Sequence, residues 1–274
     1  MILLLLLAAA VAHPVGGAPS AAAPLDYPFL MDEAIDGGRI IQAEAMLAQW
    51  RAEAGTTDRP RIDIATARLA LEKRRDGEAA AQFTALINSG MADCRVDEGL
   101  GIAMVRLGQP QQALEPLRRA VAACADRWRA WNALAVAYDH AESWALSSAA
   151  YERAFQLTNK PEKILNNYGL SLLKQRQADK ASAIFDKAHE LVPDDAGVTA
   201  NRDAAYVLSG RDIRRSAGDS ADTWARRLSH AGQVALQAGD RAKAQAYLSR
   251  AVTEADNFVP EAAAALASME NGKR

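Results

Sequence analysis

Large and small apolar residues recur with a period of 34 residues between Trp131 and Pro193. A fixed period of this length is typical of stacked helix pairs, each of which can bury its apolar face only against its neighbours. The chain is therefore predicted to be an all-α solenoid and not a domain built around one core. The first copy of the pattern comprises Trp131, Leu134, Ala135, Tyr138, Ser147, Tyr151 and Ala154, and the second comprises Leu165, Tyr168, Gly169, Leu172, Ala181, Phe185 and Ala188.

This pattern resembles the tetratricopeptide repeat (TPR) signature, W-x2-L-G-x2-Y…A-x3-F…P. The resemblance implies helix-turn-helix hairpins that stack into a right-handed superhelix with a C-terminal capping helix. It also implies that the first helix of each hairpin lines a concave groove. The aromatic residues of the pattern are then interpreted as core residues at helical spacing.

The period divides the chain into four predicted parts. Residues 1–24 are a signal peptide and flexible spacer, and residues 25–211 are an array of about five repeats plus an unpaired first helix. Residues 212–222 are polar, contain Gly and Ser, and are interpreted as a loop or hinge. Residues 223–274 form a TPR-like hairpin and a capping helix that Pro260 opens.

The amino terminus is apolar from Ile2 to Val11, and Ala10-Val11-Ala12 matches an A-x-A cleavage pattern. Cleavage after Ala12 would make the protein periplasmic or secreted, with no stable membrane insertion afterwards. The alternative is a frayed apolar tail on a cytoplasmic protein, since no Lys or Arg precedes the apolar run.

Cys94 is predicted to begin the first helix of a hairpin, and Cys124 to end the second helix of the same hairpin. Because the two helices run antiparallel, both residues lie at the same end, and a disulfide is sterically reasonable. Such a bond would stabilise the fold by about 3–4 kcal/mol in the loop-entropy model. The alternative is a pair of unbonded thiols; the spacing does not match a metal site.

No catalytic motif is apparent, and the sequence predicts neither an enzyme nor a cofactor or metal. His13 lies at the predicted cleavage site and the other three histidines lie in different repeats, while Gly99-x-Gly101 falls inside a helix without the strand that a dinucleotide loop needs. The net charge of −2 argues against a nucleic-acid partner, which would select a basic surface.

A protein or peptide partner is therefore expected in the groove. Carboxamides can both donate and accept hydrogen bonds, so rows of Asn can hold the main chain of an extended peptide. Asn132 and Asn166 occupy equivalent positions, as do Asn167 and Asn201, which is similar to the asparagine rows of peptide-binding TPR proteins. An equal alternative is that they only solvate the helix surface. The candidate groove residues are Arg95, Glu98, Arg129, Asn132, Asp139, Lys163, Asn166, Asn167, Lys174 and Asn201.

The favoured function is a scaffold for protein interactions in the cell envelope. The size, leader and repeat content resemble TPR proteins of Flp/Tad-type pilus assembly systems. Two alternatives stay open: an accessory module of a polysaccharide or peptidoglycan enzyme system, and a cytoplasmic co-chaperone.

Overall fold

The computed structural model describes residues 25–271, which fold into fourteen α-helices and one 3-10 turn at Thr56–Asp58. The predicted signal peptide and spacer, residues 1–24, lie outside the described residues, as do residues 272–274. The helices are α1 (Tyr27–Asp36), α2 (Ile40–Glu53), α3 (Arg59–Glu72), α4 (Asp76–Asn88), α5 (Cys94–Arg106), α6 (Pro110–Ala123), α7 (Trp128–His140), α8 (Trp144–Gln156), α9 (Glu162–Lys174), α10 (Ala178–Leu191), α11 (Ala196–Leu208), α12 (Ala221–Gln237), α13 (Arg241–Thr253) and α14 (Pro260–Asn271).

Consecutive helices pack as hairpins, from α1 with α2 to α9 with α10, and the first helix of each hairpin also contacts the first helix of the next. Helices α12 and α13 form a further hairpin, against which α14 packs. The prediction of an all-α solenoid is confirmed. Within the described residues, no helix combines the length and apolar character that crossing a bilayer requires.

The turn inside each hairpin contains one residue with a left-handed backbone. From the α3/α4 turn onward this residue recurs every 34 positions, as Arg74 (φ 62°), Gly108 (φ 74°), Glu142 (φ 52°) and Arg176 (φ 58°), and Gly210 (φ 82°) holds the same position after α11. Glycine adopts this conformation without steric penalty, whereas other residues adopt it at a free-energy cost of about 1 kcal/mol or more. The backbone therefore keeps the 34-residue period even where the sequence does not supply glycine.

Close packing within a hairpin depends on a small residue that faces a large one 16 positions later. A Cβ atom added to Gly169 would lie 2.5 Å from the ring of Phe185, which is fully buried. Gly101 faces Leu117 in the same way, with 2.3 Å between the added Cβ and the leucine side chain. A small residue is thus needed at this position of the pattern, glycine at Gly101 and Gly169 and alanine at Ala135, because the second helix approaches the backbone of the first.

The period breaks after α11. The next glycine with a left-handed turn backbone, Gly239, follows Gly210 by 29 positions instead of 34. Residues 211–220 form no helix, and α12 begins at Ala221, two residues before the expected start of the C-terminal unit. Helix α12 packs against α11, so α11 has a helical neighbour on both sides.

Side chains of α12 and α13 hold the loop at 211–220, and one of them also bonds to α11. The Arg227 guanidinium on α12 donates to both carboxylate oxygens of Asp203 on α11, at 2.7 and 2.9 Å, and it also pairs with Asp219 of the loop. The Tyr247 hydroxyl on α13 donates to Asp212 at 2.9 Å. These contacts tie the loop to the helices on either side of it.

Cys94 and Cys124 are joined by a disulfide, with their Cα atoms 6.1 Å apart. Cys94 is the first residue of α5, and Cys124 directly follows the last residue of α6. The bond therefore closes the open end of the α5/α6 hairpin, opposite the turn at Gly108.

Candidate functional site

The first helices of the array line a concave groove of about 630 Å³. Its walls come from α3, α5, α7, α9 and α11, together with Ile35 of α1 and a few residues of the connecting segments. Residues near i, i+3 and i+7 of one helix share a face, which explains why Arg129, Asn132 and Val136 of α7 all reach the groove. Among the predicted groove residues, those that line it are Arg129, Asn132, Lys163, Asn166, Asn167 and Asn201.

Two hydrogen bonds link the asparagines across neighbouring helices. Asn167 Nδ2 donates to Asn132 Oδ1 at 3.2 Å, and Asn201 Nδ2 donates to Asn166 Oδ1 at 2.8 Å. We call these four residues the asparagine ladder. A carboxamide has two N–H donors and an oxygen with two lone pairs, so one ladder bond leaves each residue with hydrogen-bonding capacity for a ligand.

The ladder also orients its side chains before a ligand arrives. All four asparagines are partly buried, and each bond joins the first helices of adjacent repeats. Because the rotamers are already restricted, less conformational entropy is lost when a ligand binds.

An ion pair spans the groove at its amino-terminal end. Arg129 on α7 pairs with Glu72 on α3, so the contact passes over α5, and both side chains are largely buried. Arg106 on α5 donates from Nη1 to the carbonyl oxygen of Leu71 at 2.8 Å and to Asp76 Oδ1 at 3.2 Å. The charges at this end are therefore balanced within the protein.

The opposite end of the groove has a different surface. Lys163 is exposed in the first turn of α9, and Asp195 is exposed at the N-cap of α11. Ile102 of α5, Val136 of α7 and Val198 of α11 place apolar surface beside the ladder. The groove thus offers hydrogen-bonding groups flanked by small apolar patches.

Asp139 does not belong to the groove, which corrects its sequence-based assignment. Its carboxylate is buried and accepts hydrogen bonds from Ser147, from Ser171 at 2.6 Å and from the Tyr151 hydroxyl at 2.8 Å. Burial and the Asp139 charge both raise the pKa of Tyr151 above its usual range. The side chain turns inward because three hydroxyl donors from α8 and α9 replace its hydration.

Glu98 is likewise buried and not available to a groove ligand. Its carboxylate pairs with Arg127, whose Nη2 lies 3.0 Å from Glu98 Oε1. The partner comes from the segment between α6 and α7, so the ion pair fastens α5 to the following connection. A buried carboxylate with a guanidinium partner is a structural contact.

Arg95 and Lys174 also lie outside the groove wall. Arg95 is turned back on the N-cap of its own helix, where its Nη2 lies 2.7 Å from Asp93 Oδ2. Burial opposes ionisation of Asp93, but the hydrogen bonds from Arg95 prevail and lower the pKa of that carboxyl. Lys174 is exposed in the last turn of α9, where a positive charge favours the helix dipole.

Sequence reasoning missed Glu72, Trp128 and Asp195, which line the groove. Glu72 could not be found from local spacing, because its partner Arg129 lies 57 residues further along the chain. Trp128 precedes Arg129 by one residue in the first turn of α7 and could have been found by extending the groove face by one turn.

No group of three or more His, Cys, Asp or Glu side chains suited to a metal ion occurs between residues 25 and 271.

The stacked hairpins, the 34-residue period and the row of first helices around a groove define a tetratricopeptide repeat fold. No protein-family model matches the chain, and no curated protein matches it. Several solved structures, in contrast, superpose on this chain. A chain of the APC/C hetero-tetramer Cut9–Hcn1 superposes with a TM-score of 0.58 at 16% identity, covering 90% of this chain and 49% of the other. This chain therefore spans about half the length of that one.

Two TPR proteins of bacterial origin also superpose. TTC0263, a thermophilic TPR protein from Thermus thermophilus, has a TM-score of 0.52 at 19% identity, over 66% of this chain and 98% of its own. A TPR protein from Parabacteroides merdae has a TM-score of 0.50 at 14% identity, over 88% and 97% of the two chains. At this level of identity the similarity shows the fold alone.

Proposed function

We propose that this chain is a non-enzymatic scaffold that holds an extended segment of a partner protein in its concave groove. The observation that supports the proposal is the asparagine ladder, in which four carboxamides from three first helices are oriented along the floor. Alternating donors and acceptors suit the N–H and C=O groups of an extended main chain. The apolar patches beside the ladder would take small side chains of the bound segment.

We further propose that the protein works outside the cytoplasm, in envelope assembly or secretion, including assembly of an Flp/Tad-type pilus. The signal-like apolar start with its A-x-A pattern supports export. The disulfide between Cys94 and Cys124 agrees with this location, because such bonds persist in oxidising compartments and are rare in the cytosol.

A pull-down from envelope extracts tests groove binding. The bait variant changes Asn132, Asn166, Asn167 and Asn201 to Ala. If each loses one hydrogen bond to the partner, at about 0.5–1.5 kcal/mol per bond, binding weakens about 30-fold or more and partner recovery collapses.

The matched control also removes four carboxamides, but from exposed positions outside the groove: Asn88, Gln111, Gln156 and Asn159 are changed to Ala. Recovery with this bait should equal that of the wild type. Equal recovery with the groove variant, at an unchanged thermal midpoint, would reject the groove as the binding site. Fractionation of the producing cells tests export separately, and finding the mature chain only in the cytosol would reject that part.

A further inference from the structure

A second hollow, of about 340 Å³, lies on the side of α7 that faces away from the groove. Asn132 and Val136 point into the groove, whereas Trp131 and Tyr138 point into the hollow. Leu134, which also lines the hollow, follows Asn132 by two residues, and Tyr138 follows Val136 by two residues. Positions two residues apart on a helix are separated by about 200°, so these two side chains lie on the face of α7 opposite the groove. The other walls of the hollow come from α6 and α8.

The hollow combines apolar walls with two arginines at its rim. Leu146 of α8 is 52% exposed there, although it lies beside Trp131 and Tyr138. Arg118 of α6 donates from Nε to the Tyr138 hydroxyl at 3.2 Å, and its guanidinium lies 5.5 Å from the centre of that ring. Within residues 25–271, neither Arg118 nor Arg153 forms a salt bridge.

Among the described residues, the rim of the hollow lacks a carboxylate that the preceding repeat supplies. Arg153 occupies the position of Arg119 one period earlier, and Arg119 pairs with Asp97 at 2.6 Å. The position equivalent to Asp97 is Trp131, so an indole stands where the preceding repeat supplies a carboxylate. One period later, the position of Leu146 is held by Lys180. In the part of the chain that the structure describes, only this repeat, and neither of the adjacent ones, therefore has both an exposed leucine and an arginine that lacks a carboxylate partner at these positions.

We propose that the hollow is a second docking site, for a segment of a partner protein that carries a large apolar side chain next to a carboxylate. The apolar side chain covers Trp131 and Leu146, and the carboxylate pairs with Arg153, replacing the contact that Asp97 makes with Arg119. Arginine suits this role because its planar guanidinium can bind a carboxylate through two hydrogen bonds. Since the hollow and the groove lie on opposite faces of α7, the scaffold can hold two ligands at once.

Peptide selection tests this docking site. A random peptide display library is panned against the full chain and counter-selected against the Arg153→Glu variant. The enriched peptides should place Leu, Ile, Phe or Trp within one helical turn of Asp or Glu. Their dissociation constants should rise about tenfold or more with Arg153→Glu and stay close to wild type with Arg153→Lys.

Two control variants make the result specific. Lys187→Glu changes the equivalent position one period later and should leave the affinity unchanged, as should the fourfold Ala variant of the asparagine ladder. Both Arg153 and Lys187 are exposed, so the variants are expected to keep the wild-type thermal midpoint. Enrichment of peptides without a carboxylate, or of none, would overturn the proposal. So would a dimer in sedimentation that Leu146→Asp dissociates, because the hollow would then join two copies of this chain.

Discussion

Replacing Asp139 with Ala should destabilise the middle of the array while leaving the groove surface in place. The Asp139 carboxylate on α7 accepts hydrogen bonds from Ser147 and Tyr151 on α8 and from Ser171 on α9. All four side chains are buried. One carboxylate therefore joins two consecutive repeats, and its removal leaves three hydroxyl donors without their acceptor.

The expected cost follows from those three donors. An unsatisfied buried polar group costs about 1–3 kcal/mol. Ser147 and Ser171 lie 3.5 Å apart, Oγ to Oγ, and can partly bond to each other once the carboxylate is gone. We therefore expect the free energy of unfolding to fall by about 3–5 kcal/mol.

Urea unfolding followed by circular dichroism measures this loss. Asp179→Ala, which removes an exposed aspartate from the first turn of α10, serves as the control and should cost at most about 1 kcal/mol, from its interaction with the helix dipole. In a double-mutant cycle, Asp139→Ala and Ser171→Ala should couple by about 1 kcal/mol or more across the repeat boundary. A loss below about 1 kcal/mol, together with weakened partner binding, would refute the buried role and return Asp139 to the groove.

Three further predictions concern stability. Changing both Cys94 and Cys124 to Ser should lower the free energy of unfolding by about 3.6 kcal/mol, from the 30-residue separation of the disulfide; identical urea midpoints with and without the bond would contradict this. Gly169→Ala should cost about 1–3 kcal/mol, because its Cβ would lie 2.5 Å from a phenylalanine ring, whereas Gly77→Ala, with open space around the added Cβ, should not destabilise. The pKa of Tyr151 is raised in the folded state, so its stabilising effect is complete below the unfolded pKa of about 10 and declines by about 1.4 kcal/mol per pH unit above it. Tyr151→Phe should reduce the slope of stability against pH between pH 9 and about 11 by the share of Tyr151, while Tyr27, Tyr206 and Tyr247, whose pKa values are also raised, keep theirs; an unchanged slope would count against the assignment.

The fold was predictable because one pattern fixes both the helices and their packing. Each hairpin repeats the same small-to-large contact, such as Gly169 against Phe185, and the period alone reveals it. The turn backbone could not be predicted from residue types, since Glu142 and Arg176 adopt the left-handed conformation that glycine would favour. There the packing of the two helices determines the turn.

The groove was only partly predictable. Local helical spacing places Asn132 and Asn166 on the groove face, but it does not show whether a charged neighbour points outward or inward. Asp139 turns inward because its hydroxyl donors come from two other helices. Glu72 lines the groove and pairs with Arg129, which lies 57 residues further along the chain. A pattern of neighbouring residues cannot predict a contact between residues so far apart in sequence.

The central claim is that the asparagine ladder holds the main chain of its ligand. The direct measurement is calorimetric titration of the partner segment recovered with the scaffold, as a synthetic peptide, against the same peptide carrying N-methyl groups on successive backbone amides. Each N-methyl group that removes a main-chain hydrogen bond to Asn132, Asn166, Asn167 or Asn201 should raise the dissociation constant about three- to tenfold. Replacing the peptide side chain at the same position with alanine should raise the dissociation constant less. An affinity that survives every N-methylation but is lost on side-chain truncation would contradict the account.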